Sequence, residues 1–423
     1  MHNSGVYRNY FMSQALAEKS SSRSWVLTTN NVHLMVQDAL PISDKITIET
    51  IYTLDYRTLI SKWQPTKSHG GSQLKESQKS GALVQFMIRM QRSFPFFLCM
   101  AEGSILYIFY AYRRASELIK EENISIVYSS FMPYADHVVA WMLKRKFPHL
   151  VWVADFRDLH LEPIYRNTLW PGLQRWFEKR ILSRADIVTS VSDGLCDKLK
   201  AYHTSPLTVT KGVTLRPAQK LYDHFTIGYV GGLFREFRDP RPIFRAIKKW
   251  RDASNPEIRF QYVGKDGGQM RAWARECGVE DVFEDAGFLT REEASTAQDR
   301  SHINVLLTSS SEDHKGVLTG KLFDYMESRR PILCFVNGVH DQELEAFFGD
   351  FKIGKIFYPN QEDDIVSFLS QAYQQWKSTE KLLCGTDITK IEAQLSWEGQ
   401  AQKIVEAIAS TRIFSSEPEL NRS

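Results

Sequence analysis

Apolar and polar positions along the 423-residue chain fall into two successive stretches in which strand-like runs alternate with helix-like ones. In the first stretch, a glycine-bearing loop, NSGVYRNY, leads into a helix pattern over Tyr7–Glu18 and a strand, SWVLTT, at Ser24–Thr29. Only four residues precede Gly5, so this domain is expected to lack its first strand. The polar segment 62–81, with two adjacent glycines and almost no apolar residues, reads as a mobile loop or linker. Next come a β-branched run, ISIVYSS (Ile124–Ser130), a helix pattern over Tyr134–Lys146, and LVWVADFRD (Leu150–Asp158). A continuous apolar run ahead of charged residues suits a fully buried parallel strand. ADIVTSVSDGLCDKL (Ala185–Leu199) repeats the form: strand, Ser or Asp cap, helix.

From Phe225 the same grammar restarts. FTIGYVGG is a strand ending in glycines, after which Asp239 and Pro240 open a helix with Ile243, Phe244, Ala246, Ile247 and Trp250 on one face. IRFQYVG (Ile258–Gly264) is the next strand. The short strand VFEDAGF, a capping box at Thr290 and Glu293, the strand INVLLTS (Ile303–Ser309), the helix TGKLFDYMES and the strand PILCF (Pro331–Phe335) complete the run of strand-helix units. Strands alternating with helices imply parallel sheets. The fold class expected is therefore α/β: two facing Rossmann-like domains, residues 1–210 and 218–395. An amphipathic helix over 396–412 follows, and 413–423 form a tail.

Composition adds bounds. A chain of this length is about right for two cores. The 53 basic and 50 acidic residues leave a net charge of +3, which demands no nucleic-acid partner. Five scattered cysteines, Cys99, Cys196, Cys277, Cys334 and Cys384, have no metal-holding spacing and fit a reducing compartment. No apolar signal stretch opens the sequence, so the cytoplasm is the expected location. The segment 94–112 is almost wholly apolar with arginines on both sides, and nearly long enough to span a bilayer. Pro95, Glu102 and a Gly-Ser pair inside it argue for a buried or interfacial helix, with peripheral membrane contact as the alternative.

Two segments carry the chemistry. In GYVGGLFREFRDP (Gly228–Pro240), backbone N–H groups at Gly231 and Gly232 can approach an anion, and Arg235 and Arg238 follow at once. A tight strand-to-helix turn with solvated arginines is the plain alternative. In GVLTGKLFDYMESRRPIL (Gly316–Leu333), Thr319 and Gly320 stand at a helix start, where free N–H groups and Lys321 can meet phosphates. Asp324, one turn on, can accept ribose hydroxyls or be an ordinary solvated residue. In the first stretch, Asp155, Arg157 and Asp158 end a buried strand, where doubly wound sheets place ligands, although an Arg–Asp pair can equally lock a loop. His137 follows the strand ISIVYSS, as a catalytic imidazole or as a solvated or capping one.

These segments, together with FQYVGKDG, AGFLTREE and the closing SWEGQAQKIVEAI, resemble in order and spacing the C-terminal half of group 1, GT-B-fold glycosyltransferases. WVADFRDLH and LSRADIVTSVSDGLCDKL are similar to the acceptor-side domain of that family. The resemblance implies a donor site between Gly228 and Arg330. Gly231, Gly232, Gly264, Thr319 and Gly320 would hold the donor diphosphate with Arg235 or Arg238 and Lys321, and Asp324 would stand at the ribose-binding position. It also implies that Gly5 and Arg8 lie in a loop closing over the donor, and that the C-terminal helix crosses back to the first domain. One departure stands out: the partner glutamate that the family directs at the donor sugar falls at Gly316, with Glu312 and Asp313 nearby.

The expected activity is metal-independent transfer of a sugar, with no cofactor, from a nucleotide sugar to a glycan or lipid-linked acceptor in surface polysaccharide synthesis. A hexosyltransferase that retains configuration is the form expected. Arg235, Arg238, Lys321 and His137 would be its catalytic residues. A sugar-nucleotide epimerase or hydrolase, and a non-catalytic binding paralogue, are the competing readings.

Overall fold

The structure, a computed structural model, describes residues 4–20, 23–29, 40–51, 53, 86, 89–90, 93–100, 105–131, 134–159, 169–233, 238–312, 315–316, 318–379 and 386–416. The expected mobile loop 62–81, Arg235 and Asp313 lie outside them. Two compact units emerge: Met1–Thr210 with Trp397–Ser423, and Lys211–Ser396.

The first unit opens with α1 (Ser4–Lys19), β1 (Ser24–Thr29) and β2 (Ile46–Ile51), and continues with α2 (Phe96–Met100) and α3 (Ile105–Glu121). It then alternates β3 (Ile126–Phe131), α4 (Ala135–Lys146), β4 (Val151–Phe156), α5 (Pro171–Leu182), β5 (Ile187–Ser190), α6 (Asp193–Leu199) and β6 (Leu207–Thr208). Strands β3 to β6 form a parallel sheet in chain order, while β1 and β2 pair in parallel as a two-stranded sheet. β4 is buried at every position, with Trp152, Val153 and Ala154 wholly inaccessible, as its uninterrupted apolar run implies.

One expectation for this unit is corrected. Gly5 and Arg8 lie in α1, not in a loop: the helix begins at Ser4, three residues before the apolar pattern announces it. Of segment 94–112, the described residues include α2 and the start of α3, with 101–104 outside them, and no helix among the described residues is long and apolar enough to cross a membrane. Phe97, Tyr107 and Ala111 turn into the core, which fixes the inward faces of both.

The second unit runs β7 (Phe225–Val230), α7 (Arg241–Ser254), β8 (Ile258–Val263), α8 (Gly267–Glu276), β9 (Phe283–Asp285), α9 (Arg291–Arg300), β10 (Ile303–Ser310), α10 (Gly320–Glu327), β11 (Ile332–Gly338), α11 (Gln342–Phe351), β12 (Gly354–Phe357), α12 (Glu362–Thr379) and α13 (Ile388–Leu395). Its six parallel strands lie in the order β12-β11-β10-β7-β8-β9. The chain therefore builds outward from β7 in one direction and, from β10, in the other. Ile303, Val305 and Leu307 of β10 join Phe225, Ile227 and Tyr229 in one core, whereas Leu306 joins Ile332, Cys334 and Val336 in the core on the opposite face. Period-two alternation thus serves both helical layers. All five apolar residues expected on one face of α7 are buried, each large one contributing roughly 1.5–3 kcal/mol. The Thr290–Glu293 capping box is formed.

The last helix, α14 (Trp397–Ser416), belongs to the first unit. Trp397, Ala401, Ile404 and Ile408 recur at helical spacing and pack with Met12 and Ala15 of α1, and Phe11 stacks on Trp397 with ring centres 5.2 Å apart.

Candidate functional site

In a doubly wound sheet, ligands enter beyond the carboxyl ends of the strands, where the winding reverses. In the second unit that point lies between β7 and β10. β7 runs into Gly231, whose φ of +134° strains any residue but glycine, and an added Cβ there would strike the Lys321 ammonium. A Cβ on Gly264, after β8, would meet the Gly231 carbonyl 2.7 Å away. These glycines let three segments converge.

Three tyrosines frame the loop. Tyr229 Oη donates to the Gly232 carbonyl (3.0 Å), Tyr262 Oη to the Gly231 carbonyl (3.1 Å), and Tyr325 Oη, from α10, to the Val230 carbonyl (3.1 Å). The Leu233 N–H donates to Asp266 (2.9 Å), and Arg238 Nη1 to the Gly232 carbonyl (3.2 Å). Burial pushes the Tyr229 hydroxyl up to about 12, so it stays a neutral donor. None of the tyrosines stands out in the sequence, because a tyrosine inside an apolar run reads as core.

Lys321 reaches this loop from the first turn of α10. Its Nζ lies 3.3 Å from Tyr229 Oη and 4.8 Å from the ring centre, and among the described residues it makes no ion pair. Desolvation, then the charge of Arg238, drives its pKa well below the ordinary lysine value. Thr319 takes the extended N-cap conformation of α10 but makes no side-chain capping bond, and its Oγ1 is buried without a partner among the described residues. The free N–H groups of Gly320 and its neighbours, the Thr319 hydroxyl and two cations therefore share one end of the sheet, a ready anion site.

Asp324, at the expected ribose position, is one-third exposed and accepts from Lys211 Nζ. Lys211 and its neighbour in this segment, Arg216, were not signalled by any motif. Arg216 binds Asp299 (2.8 Å) and Glu327 (2.8 Å), tying the segment after residue 210 to α9 and α10.

At the sugar end, Gly316 adopts φ +69°. Its N–H donates to both oxygens of Asp341 (3.1 and 3.3 Å), a buried residue that also caps α11 through the Leu344 N–H (3.2 Å). Glu312 is exposed and pairs with Lys315. The position where the family carries its sugar-directed carboxylate is thus a left-handed turn, anchored by an aspartate from the next strand-helix connection.

The first unit is different. Register sets Ser130, Asp155 and Thr189 side by side at the ends of β3, β4 and β5. Arg8 Nη2 donates to Asp155 Oδ1 (2.9 Å) and Nε to Oδ2 (3.2 Å), and Thr189 Oγ1 donates to Oδ1 (2.7 Å). Arg8 also reaches the carbonyls of Val209 and Thr210, both 2.8 Å away. Burial pushes the Asp155 carboxyl up, but the Arg8 charge and these bonds outweigh it and hold it below the ordinary range. Asp155 is inaccessible and fully engaged, so it is an internal anchor and not an acceptor-facing acid. His137 is corrected in the same way. It is wholly buried beside Phe131, Tyr134 and Phe156, with Nδ1 2.8 Å from Ser129 Oγ, and burial lowers its pKa to about 3. Arg157 donates to the Phe131 carbonyl (2.9 Å), and Asp158 remains exposed.

Residues 69–212 match the model of Glycosyltransferase Family 4. No curated protein matches the chain in sequence. Among solved structures, a sucrose-phosphate synthase from Thermosynechococcus elongatus is 14% identical, with 98% of this chain and 94% of that one covered and a TM-score of 0.56. A glycosyltransferase from Rickettsia africae ESF-5 is 10% identical, with 93% and 99% covered and a TM-score of 0.54. At such identities the likeness speaks to the fold, which is GT-B. A match to family 4 over residues 69–212 and a GT-B fold, joined to the ordered motifs of the second unit, make the chain similar to group 1 glycosyltransferases.

Proposed function

We propose that this glycosyltransferase moves a hexosyl group, with retention and without a metal or other cofactor, from a nucleoside-diphosphate sugar to a glycan or lipid-linked acceptor of surface polysaccharide synthesis. The observation that carries this reading is the uncapped N-terminus of α10, with the unpartnered Thr319 hydroxyl and Lys321 turned onto the Gly231–Gly232 loop. Breaking the anomeric carbon–oxygen bond leaves the electron pair on the diphosphate. Lys321, Arg238 and the helix N–H groups supply the compensating positive charge from fixed positions. Arg235 is proposed as a further cation from the same loop. Asp324, released from Lys211, would accept the ribose hydroxyls, with Lys211 free to turn toward the nucleotide.

The acceptor is assigned to the first unit, with Arg157 and Asp158 at the end of β4. Work at the inner face of the cell membrane, through residues 94–112, is part of the proposal. α3 exposes Ile105, Leu106, Phe109 and Tyr110 ahead of Arg113.

Thermal-shift measurements with UDP-, GDP-, ADP- and dTDP-sugars test the donor site, because a ligand that binds only the folded state raises its stability. A shift with one nucleotide class, lost in Lys321→Met, is expected. No shift with any of them overturns the reading, and release of a free epimer without acceptor replaces it with epimerisation. The anomeric configuration of the product tests retention, and activity surviving EDTA tests metal independence.

A further inference from the structure

One face of the first unit is apolar where solvent should meet polar groups. Trp176 of α5 is 60% exposed, Trp170 47% and Leu173 42%. Trp170 stands against Phe96 of α2, with ring centres 6.1 Å apart. Beside them opens a shallow cavity of about 560 Å3, lined by Phe94, Pro95, Phe96, Leu169, Trp170 and Leu173 with Pro171 and Gly172, and by no charged residue among the described ones. A contiguous exposed patch of this kind marks an interaction surface.

Charge selects the partner. Every charged side chain that α5 exposes is basic: Arg175, Lys179 and Arg180. Its one acid, Glu178, is buried and bonded to Gln174 (3.0 Å). A short helix that offers tryptophan and leucine with a basic fringe has the composition of an interfacial element. Indole rings sit at the headgroup level, the long basic stems follow apolar surface, and their charges meet anionic lipid. The core of a protein–protein interface, by contrast, is depleted in lysine.

We infer that the outer face of α5, with Phe96 and Trp170, docks on the surface of an anionic lipid bilayer. The inference rests on the proposed membrane-associated transfer and deepens it: the contact is centred on α5, which residues 94–112 do not include. The tryptophans and leucine enter the interface, the apolar cavity takes acyl-chain carbon, and Arg175, Lys179 and Arg180 pair with lipid phosphates.

Co-sedimentation of the full chain with vesicles of phosphatidylcholine alone, or mixed equally with phosphatidylglycerol, tests this. Strong retention on the anionic vesicles, falling with added salt, is expected, with weak retention on the neutral ones. Arg175→Gln, Lys179→Gln and Arg180→Gln together should weaken anionic binding on the order of a hundredfold, since each basic residue near such a surface contributes about fivefold. Leu173→Ser with Trp176→Ser should weaken binding to both vesicle types. All five side chains are exposed, so an unchanged melting temperature serves as the folding control. No retention on anionic vesicles, or equal retention of the variants, overturns the inference. A dimer that Trp176→Ser dissociates, without vesicle binding, also overturns it and makes a second copy the occupant. The nucleotide-sugar thermal shift, measured in parallel, separates the two readings: vesicle binding lost with the shift intact sinks only the docking surface, and the reverse sinks only the donor site.

Discussion

The two units end their central strands in opposite chemical conditions. Beyond β7 and β10, polar groups are left over: Thr319 Oγ1 has no partner, α10 has no cap, and Lys321 is desolvated without an ion pair among the described residues. Beyond β4 the charge is satisfied, because Asp155 is consumed by Arg8 and Thr189; His137 Nε2 is left without a hydrogen-bond partner among the described residues, but the ring is neutral and sealed among aromatic rings. Both regions carry charged residues at the ends of buried parallel strands, and both look alike in sequence. A strand-end charge therefore becomes a site only when the fold leaves it unsatisfied.

Breaking the sealed pair should have the largest effect. Arg8→Met leaves a buried carboxylate without its cation and should destabilise the first unit by roughly 3–5 kcal/mol, read by urea unfolding. Arg8 also holds the carbonyls of Val209 and Thr210, and Gln400 Oε1 accepts the Thr210 N–H (2.8 Å), so the loss should extend to the docking of α14. An Arg8→Met protein of unchanged stability but abolished transfer would make Asp155 a site residue after all.

Lys321→Met is the mirror experiment. It removes a cation that the fold leaves unspent, so stability should hold or rise, while transfer should fall on the order of 100- to 1,000-fold. Loss of stability with turnover intact would show that Lys321 is spent on Tyr229 and would move the phosphate site elsewhere.

A third contrast lies within the first unit. Burial raises the Glu178 pKa from the ordinary 4.5 to about 7, with Gln174 opposing the shift. The folded state therefore holds this proton more tightly than the unfolded chain. The resulting stabilisation is fully present below the unfolded value and is lost as pH climbs toward 7. Between those limits the first unit should lose on the order of 3 kcal/mol, and Glu178→Gln should flatten this part of the profile in thermal melts. A profile unchanged by the substitution would show that Glu178 is paired or hydrated in solution.

Legibility followed the same divide. The second unit could be read because its devices are local: glycines at strand ends, a capping box, and apolar positions of α7 at helical spacing. β12 and the α11–α13 helices were not assigned from the sequence. What decided the character of each site was non-local. Arg8 meets Asp155 across 147 residues, and Lys211 meets Asp324 across 113. No period or motif encodes such a pairing, and a buried arginine looks like a surface one in sequence. The tyrosines that hold the Gly231–Gly232 loop were hidden for the opposite reason, their hydroxyls riding on rings that belong to the core.

Gly316 sharpens the comparison at its smallest scale. Restoring the family's carboxylate by Gly316→Glu looks like a repair, yet φ +69° costs a side-chain-bearing residue about 1–2 kcal/mol and strains the bonds from its N–H to Asp341. Lower stability and no gain in turnover are expected, with Gly316→Ala showing the same thermal loss. If the cost is purely backbone, the two substitutions match. A Gly316→Glu protein that transfers faster while Gly316→Ala does not would mean that the turn yields to the ligand and that the donor sugar does call for a carboxylate there. Asp341→Asn separates these cases, since it keeps a neutral acceptor for the Gly316 N–H while removing the aspartate charge bonded to it.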